Sequence, residues 1–211
     1  MPDHRPLPRI TLATRVTLLR ILGIPVFVLL MVYYHMSLRA DAPNETFRIA
    51  ALGVFVLVAA TDALDGYLAR SRNEITELGR ILDPLADKGL LLSAVVMLTR
   101  PSLPELQPQL PVWFTLTIVS RDVLLVLGAV VINHLAHRVE IRPRLTGKAA
   151  TFFQMATVVC ALAVCGPGPA FTGLAMLAAA CTLVSGLQYT FDGIRQIEAH
   201  THPVPRNSGR S

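Results

Sequence analysis

The sequence predicts an all-α polytopic membrane protein, a bundle of six transmembrane helices with both termini in the cytoplasm. Apolar residues make up 53% of the 211-residue chain, and its mean hydropathy is +0.52, whereas a typical soluble domain is about 45–50% apolar. A soluble chain of this length has too small an interior to bury that surface, so we expect the excess to face lipid. The apolar residues also form long segments, and the cations lie mainly on one side of those segments.

Six segments approach the 20 or so mostly apolar residues that a membrane helix needs. In chain order they are 16–36, 47–67, 86–103, 112–134, 148–166 and 170–191. The third segment is the least clear, since its uninterrupted apolar core covers only about 89–99. Turn-forming residues at 41–44, 101–111 and 166–170 separate the segments.

The distribution of the cations predicts the orientation of these segments. Fourteen of the 19 Lys and Arg residues lie on the flanks that share a side with the termini, and three (Arg39, Arg48 and Arg100) lie on the opposite flanks. The positive-inside rule therefore places both termini in the cytoplasm. This distribution also accounts for the formal charge of +5, so we expect a bilayer as partner and no nucleic acid.

The expected organisation is one membrane domain with two short polar ends. Residues 1–15 form an N-terminal cytoplasmic segment, residues 16–195 the membrane domain, and residues 196–211 a disordered polar tail. Arg20 and Arg121 remain inside predicted spans. Charges within a membrane rarely face lipid and usually mark a functional interior. Arg121 therefore needs a partner, either an anionic substrate or a neighbouring aspartate such as Asp122.

Four aspartates stand where the second predicted span ends and the third begins. Asp62 and Asp65 are three residues apart, and Asp83 and Asp87 are four apart, so each pair shares one face of a helix. A short cytoplasmic turn joins the two helices, so the four carboxylates can converge at the membrane surface. Clustered anions repel one another unless a cation lies between them.

Carboxylate oxygens of this kind suit hard cations such as Mg²⁺, Mn²⁺ or Ca²⁺. Two such ions can stabilise the attacking and the leaving oxygen of a displacement at phosphorus. Gly66 and Gly79 lack side chains and so leave room for a flat nucleobase or a diphosphate to approach the backbone. The guanidinium of Arg70 has a forked set of donors that suits phosphate oxygens. A solvated acidic loop is the simpler alternative, but it does not explain four acids in two helical registers. A calcium-binding EF-hand is excluded, because its acids alternate every two residues.

The stretch fits the pattern D-x2-D-G-x2-A-R-x8-G-x3-D-x3-D over residues 62–87, and it resembles the signature of the CDP-alcohol phosphatidyltransferase family. Shorter similarities to that family extend over about 180 residues. Thr17 and Arg20 resemble the T-x-x-R of the family's first membrane helix, and Ser120-Arg121-Asp122 resembles the R-[DE] pair of its fourth. Gly147-Lys148 with Thr151 and Gln154 resembles the G-K-x-x-T-x-x-Q at the start of its fifth, and Ser185-Gly186-Leu187-Gln188-Tyr189 resembles the end of its sixth.

The resemblance implies a membrane enzyme that transfers a phosphatidyl group from CDP-diacylglycerol to a small alcohol, releasing CMP, in phospholipid biosynthesis. It implies two divalent cations, Mg²⁺ or Mn²⁺, and an active site that faces the cytoplasm, at the inner membrane if the source is bacterial. The candidate assembly is a homodimer. The implied metal ligands are Asp62, Asp65, Asp83 and Asp87, with Asp87 also the general base, and the implied CDP pocket consists of Gly66, Ala69, Arg70 and Gly79.

The expected acceptor is glycerol 3-phosphate, because the pattern is most similar to the phosphatidylglycerophosphate synthase branch. A phosphorylated acceptor needs cations, and the candidates are Arg121, Arg142, Arg144 and Lys148. The positive-inside rule explains the cations Arg142, Arg144 and Lys148 at the start of span five equally well. A CMP-forming cardiolipin synthase that uses phosphatidylglycerol and a phosphatidylinositol-phosphate synthase remain alternatives. The N-x-P-N that often precedes the first-helix threonine is replaced here by residues 11–14, TLAT.

Two rivals come from other classes of protein. A UbiA-type prenyltransferase also combines aspartates with Mg²⁺ in a membrane bundle, but it needs a longer chain and two acidic motifs far apart. A divalent-cation transporter would carry its acids near the bilayer midplane, whereas these lie at a surface helix–loop–helix.

Overall fold

Every element of secondary structure in the described part of the chain is an α-helix. The computed structural model describes residues 12–72, 77–100, 106–136, 145–163 and 166–201, and side chains within 21–61, 88–100, 106–128, 145–163 and 166–193. Six helices lie in these ranges: α1 (Leu12–Arg39), α2 (Glu45–Arg72), α3 (Glu77–Leu98), α4 (Val112–Ala136), α5 (Leu145–Leu162) and α6 (Pro169–Thr201). The all-α prediction is confirmed.

The connection between α1 and α2 shows how local sequence ends one helix and starts the next. Asp41 has a left-handed backbone conformation, with φ of 53°, a common way to end a helix. The side chain of Asn44 then caps α2, since its Oδ1 accepts the backbone N–H of Thr46 at 3.1 Å. The hydroxyl of Ser37 accepts the backbone N–H of Asn44 at 3.1 Å, which ties the turn to the last part of α1.

The chain divides into two compact units. Unit 1 comprises Met1–Gln109 and Val158–Gly166, and unit 2 comprises Leu110–Thr157 and Pro167–Ser211. In unit 1, α1 packs against both α2 and α3. Large buried side chains there include Phe27, Met31, Tyr34, Phe55 and Leu98. In unit 2, α4 packs against α6, and Phe114, Ile118 and Ala178 are buried.

Small residues let the helices of unit 1 approach closely. A Cβ on Gly23 of α1 would stand 2.5 Å from Cγ2 of Val58 in α2, and one on Gly89 of α3 would stand 3.1 Å from Cδ1 of Ile24 in α1. Close contact through glycine and alanine is typical of helix pairs in membranes, where dispersion forces replace the hydrophobic effect between helices.

Three segments of the described chain are long and apolar enough to cross a membrane, namely Ile21–Arg39, Leu145–Leu162 and Pro169–Gly193. Lys88–Leu98 is a shorter apolar helix. Many large apolar side chains on these helices are exposed, among them Leu22, Leu29, Met176 and Leu187, as lipid-facing surfaces require. The chain is therefore a membrane protein.

The helices extend past several predicted bounds. The first begins at Leu12 and the last continues to Thr201, which includes the first residues of the predicted polar tail. The ranges 1–11, 73–76, 101–105, 137–144, 164–165 and 202–211 lie outside the described residues.

Candidate active site

The acidic motif lies on two helices of unit 1. Asp62 and Asp65 belong to α2, and Asp83 and Asp87 belong to α3. Both stretches are helical, so the predicted three- and four-residue spacing does put each pair on one helix face. Their side chains lie outside the described residues, and their roles as metal ligands stay a prediction. The same holds for Gly66, Ala69, Arg70 and Gly79, the predicted CDP pocket.

The two acid-bearing helices share a common neighbour. α1 packs along both α2 and α3, and α2 also contacts α3. The acids occupy the C-terminal half of α2 and the N-terminal half of α3, with only residues 73–76 between the two helices. Within the side chains that the structure describes, no three His, Cys, Asp or Glu residues form a group that could hold a metal ion, and the four aspartates are outside that set.

Arg121 lies within unit 2, where polar side chains of α4 and α6 contact its guanidinium. Its Nη1 donates to Oδ1 of Asp122 at 2.9 Å, and its Nη2 donates to Oγ of Ser185 in α6 at 3.3 Å. The Arg121 side chain is 12% exposed, and its Nε is buried without a hydrogen-bond partner. The sequence reasoning considered Asp122 as a partner of Arg121, and that pairing is confirmed. It assigned no role to Ser185.

Two glycines make room for Arg121. A Cβ on Gly147, near the start of α5, would stand 3.4 Å from Nη2 of Arg121, 3.4 Å from the Tyr189 hydroxyl and 3.5 Å from Oγ of Ser185. A Cβ on Gly186 in α6 would stand 3.3 Å from Cγ of Arg121. The guanidinium thus lies close to the backbone of α5 and the aliphatic stem of Arg121 lies close to that of α6, which longer side chains at these glycines would prevent.

Two hydrogen bonds hold α5 against α6 on either side of this cluster along the helices. Thr146 donates to Oε1 of Gln188 at 2.7 Å, and Nε2 of Gln154 donates to Oγ1 of Thr182 at 2.7 Å in a buried position. Residues 147–154 matched a family pattern in the sequence, and the structure gives Gln154 this packing role.

Of the other three residues predicted to bind the acceptor, the structure describes only Lys148. Lys148 follows Gly147 in the first turns of α5 and is exposed, as a cation that contacts a soluble substrate would be. Arg142 and Arg144 lie outside the described residues, so their predicted role is untested.

Sequence reasoning missed a buried cation, Arg48 of α2, which it counted only as a flanking charge. Arg48 is 1% exposed. Its Nη1 donates to the Tyr34 hydroxyl at 3.1 Å, its Nη2 donates to the Ala161 carbonyl, and Glu45 lies 3.9 Å away. The spacing of Glu45 and Arg48 by three residues was the available signal. Since Ala161 is near the end of α5, the cation also suits the negative end of that helix.

Comparison with known proteins identifies the family. A sequence profile described as CDP-alcohol phosphatidyltransferase matches residues 10–186, which covers most of the chain. The chain belongs to the CDP-alcohol phosphatidyltransferase family. It is therefore an enzyme of phospholipid synthesis that transfers a phosphatidyl group, as the acidic signature predicted. Enzymes of this family generally depend on divalent cations.

Several curated members of the CDP-alcohol phosphatidyltransferase family are similar over most of the chain. A probable phosphatidylglycerophosphate synthase of Mycobacterium tuberculosis is 32% identical over 189 residues, 88% of this chain and 83% of that protein. A CDP-diacylglycerol–glycerol-3-phosphate 3-phosphatidyltransferase of Escherichia coli is 33% identical over 181 residues, 83% of this chain and 91% of that protein. A CMP-forming cardiolipin synthase of Streptomyces coelicolor is 35% identical over 147 residues, 69% of this chain and 62% of that protein.

Proposed function

We propose that this enzyme transfers the phosphatidyl group of CDP-diacylglycerol to glycerol 3-phosphate and releases CMP. The observation that carries the choice of acceptor is the similarity to proteins named for that reaction, which extends over 83% of the chain in the Escherichia coli relative. Arg121, whose side chain is 12% exposed, supports it, because a phosphorylated acceptor needs a cation and this one already lies among polar groups inside unit 2.

The four aspartates are proposed to hold two divalent ions, Mg²⁺ or Mn²⁺. The residues fit such ions in two respects: carboxylate oxygens are the donors that hard cations prefer, and the helical backbone of α2 and α3 gives Asp62 and Asp65, and Asp83 and Asp87, a common face in each helix. When bound, the ions would stabilise the charge on the oxygens around phosphorus and on departing CMP.

The protein's own residues divide the remaining tasks. Asp87 accepts the proton of the acceptor hydroxyl as that oxygen attacks the phosphorus attached to diacylglycerol. The bond from this phosphorus to the bridging oxygen of CMP breaks, and CMP leaves. Gly66, Ala69 and Gly79 leave space for the CDP group, and the guanidinium of Arg70 binds its phosphate oxygens.

The proposed topology places this chemistry on the cytoplasmic surface. All six helices cross the membrane, both termini lie in the cytoplasm, and the connection between α2 and α3 lies there too. The excess of cations on those flanks supports this orientation. A lipid-anchored CDP group then meets a water-soluble acceptor where the aspartates lie.

The acceptor phosphate is proposed to bind Arg121, together with Arg142, Arg144 and Lys148. Arg121 supplies a fixed guanidinium, and the exposed Lys148 adds a mobile point charge in the first turns of α5.

The acceptor is tested with purified enzyme, CDP-diacylglycerol and Mg²⁺ or Mn²⁺, to which glycerol 3-phosphate, phosphatidylglycerol, inositol phosphate and serine are added one at a time. CMP release is expected with glycerol 3-phosphate. Release only with phosphatidylglycerol would instead establish a cardiolipin synthase, the alternative favoured by the Streptomyces coelicolor relative. Release with inositol phosphate alone would establish the third candidate.

A further inference from the structure

We propose that Asp122 and Ser185 are positioning residues, which fix the guanidinium of Arg121 so that its remaining donors face the phosphate of the acceptor. Gly186 is needed for the same placement, because the absence of a side chain there lets the aliphatic stem of Arg121 lie against α6. This inference rests on the proposed function in one respect: it takes Arg121 as the ligand of the acceptor phosphate.

The hydrogen bonds show why Arg121 has a defined orientation. An arginine side chain is long and flexible, and it loses much of its conformational freedom on binding an anion unless other groups already hold it. Here Nη1 bonds to Asp122 within α4, at 2.9 Å, and Nη2 bonds to Ser185 across the interface with α6, at 3.3 Å. Bonds in two directions fix both the position and the plane of the guanidinium.

These two bonds leave donors for a ligand. A guanidinium carries five N–H groups, and only one on each terminal nitrogen is needed for Asp122 and Ser185. The carboxylate of Asp122 also compensates the cation before substrate arrives; it is 27% exposed, against 12% for Arg121. Ser185 is fully buried, so its hydroxyl holds Arg121 from the protein side.

A substitution at Gly186 can shift the Arg121 side chain without removing either of its hydrogen-bond partners. A Cβ on Gly186 would stand 3.3 Å from Cγ of Arg121, closer than most real Cβ contacts, so the arginine stem would shift by a few tenths of an ångström. Alanine has a higher helix propensity than glycine. Gly186→Ala is therefore expected to move Arg121 without weakening α6.

The kinetic experiment uses the whole chain in detergent–lipid micelles, and each substrate is varied in turn while the other is saturating. Ser185→Ala and Asp122→Asn are each expected to raise the KM for glycerol 3-phosphate by about tenfold, the effect of losing about one hydrogen bond to a charged group, while the KM for CDP-diacylglycerol stays the same. Gly186→Ala is expected to raise the same KM without lowering the thermal midpoint. The matched control is Thr190→Ala, which removes a hydroxyl of α6 that donates to the Gly186 carbonyl at 3.0 Å and should leave both KM values unchanged.

A double-mutant cycle separates positioning from a general structural effect. If Ser185 acts through Arg121, Ser185→Ala should add nothing to the KM of the Arg121→Ala enzyme. Independent, multiplicative effects of the two substitutions would overturn the proposal, as would a normal KM for glycerol 3-phosphate in Ser185→Ala.

The outcomes also distinguish this proposal from the one on which it rests. If the wild-type enzyme ignores glycerol 3-phosphate, or if Arg121→Ala leaves its KM unchanged, the proposed acceptor site itself is wrong. If Arg121→Ala raises that KM but Ser185→Ala and Gly186→Ala do not, only the positioning role is wrong.

Discussion

The contact between Gly23 of α1 and Val58 of α2 gives a sharp test of how these two helices of unit 1 pack. Alanine at Gly23 would bring a Cβ within 2.5 Å of Cγ2 of Val58, whereas ordinary contact begins at about 3.4 Å. The helices α1 and α2 must therefore separate locally by roughly 0.9 Å, or Val58 must move. Val58 is β-branched and stiff at χ1, and it is buried, so it cannot turn aside easily.

The expected cost of Gly23→Ala is about 1–3 kcal/mol of unfolding free energy, the usual range for an extra carbon in a packed core. Gly53 of α2 provides a matched control, because a Cβ there meets nothing within 4 Å. Gly53→Ala is the same chemical change in the same unit, and it should leave stability unchanged or raise it by up to about 1 kcal/mol.

The assay is thermal or denaturant unfolding of the purified enzyme in detergent micelles, with the two single variants compared under the same conditions. Combining Gly23→Ala with Val58→Ala removes the obstructing methyl groups, so the cost of the double variant should be less than the sum of the single costs. Equal midpoints for Gly23→Ala and Gly53→Ala would refute the close approach of α1 and α2 at this point.

Three further predictions concern other groups. Arg48→Lys should lower stability by about 1–3 kcal/mol, because an ammonium lacks the fork that reaches both Tyr34 and Ala161, and an unchanged thermal midpoint would contradict this. Gln154→Leu should cost only about 0.6–1.7 kcal/mol, the usual range for one hydrogen bond between membrane helices; a loss above about 3 kcal/mol in the same assay would show a larger role. Asp83→Asn should abolish CMP release while the thermal midpoint stays near that of the wild type, and near-normal turnover would remove Asp83 from the metal site.

The helical fold was predictable because its signals are local. Apolar segments of about 20 residues and turn residues between them indicate helices whatever surrounds them. The bounds were less predictable, since polar residues can continue a helix beyond an apolar segment. Thus the C-terminal helix continues to Thr201, although the apolar segment that predicts it ends at about residue 191.

The site was predictable to different degrees for physical reasons. The aspartates follow helical spacing, so their common helix faces could be inferred from α2 and α3 separately. Arg121 stood out because a charge within an apolar span needs a partner, and Asp122 beside it was an obvious choice. Ser185 could not be identified as a partner, because its contact with Arg121 depends on how α6 packs against α4. The burial of Arg48 likewise depends on Ala161, which is 113 residues away along the chain.

The central claim is most directly tested by following labelled glycerol 3-phosphate into lipid. Purified enzyme is incubated with CDP-diacylglycerol, Mn²⁺ or Mg²⁺ and the labelled acceptor, and label in the organic phase is compared with CMP released. We predict equal amounts of both, and loss of both on chelation of the metal and in Asp83→Asn. Release of CMP without label in the lipid, or transfer that continues unchanged in the presence of the chelator, would contradict the account.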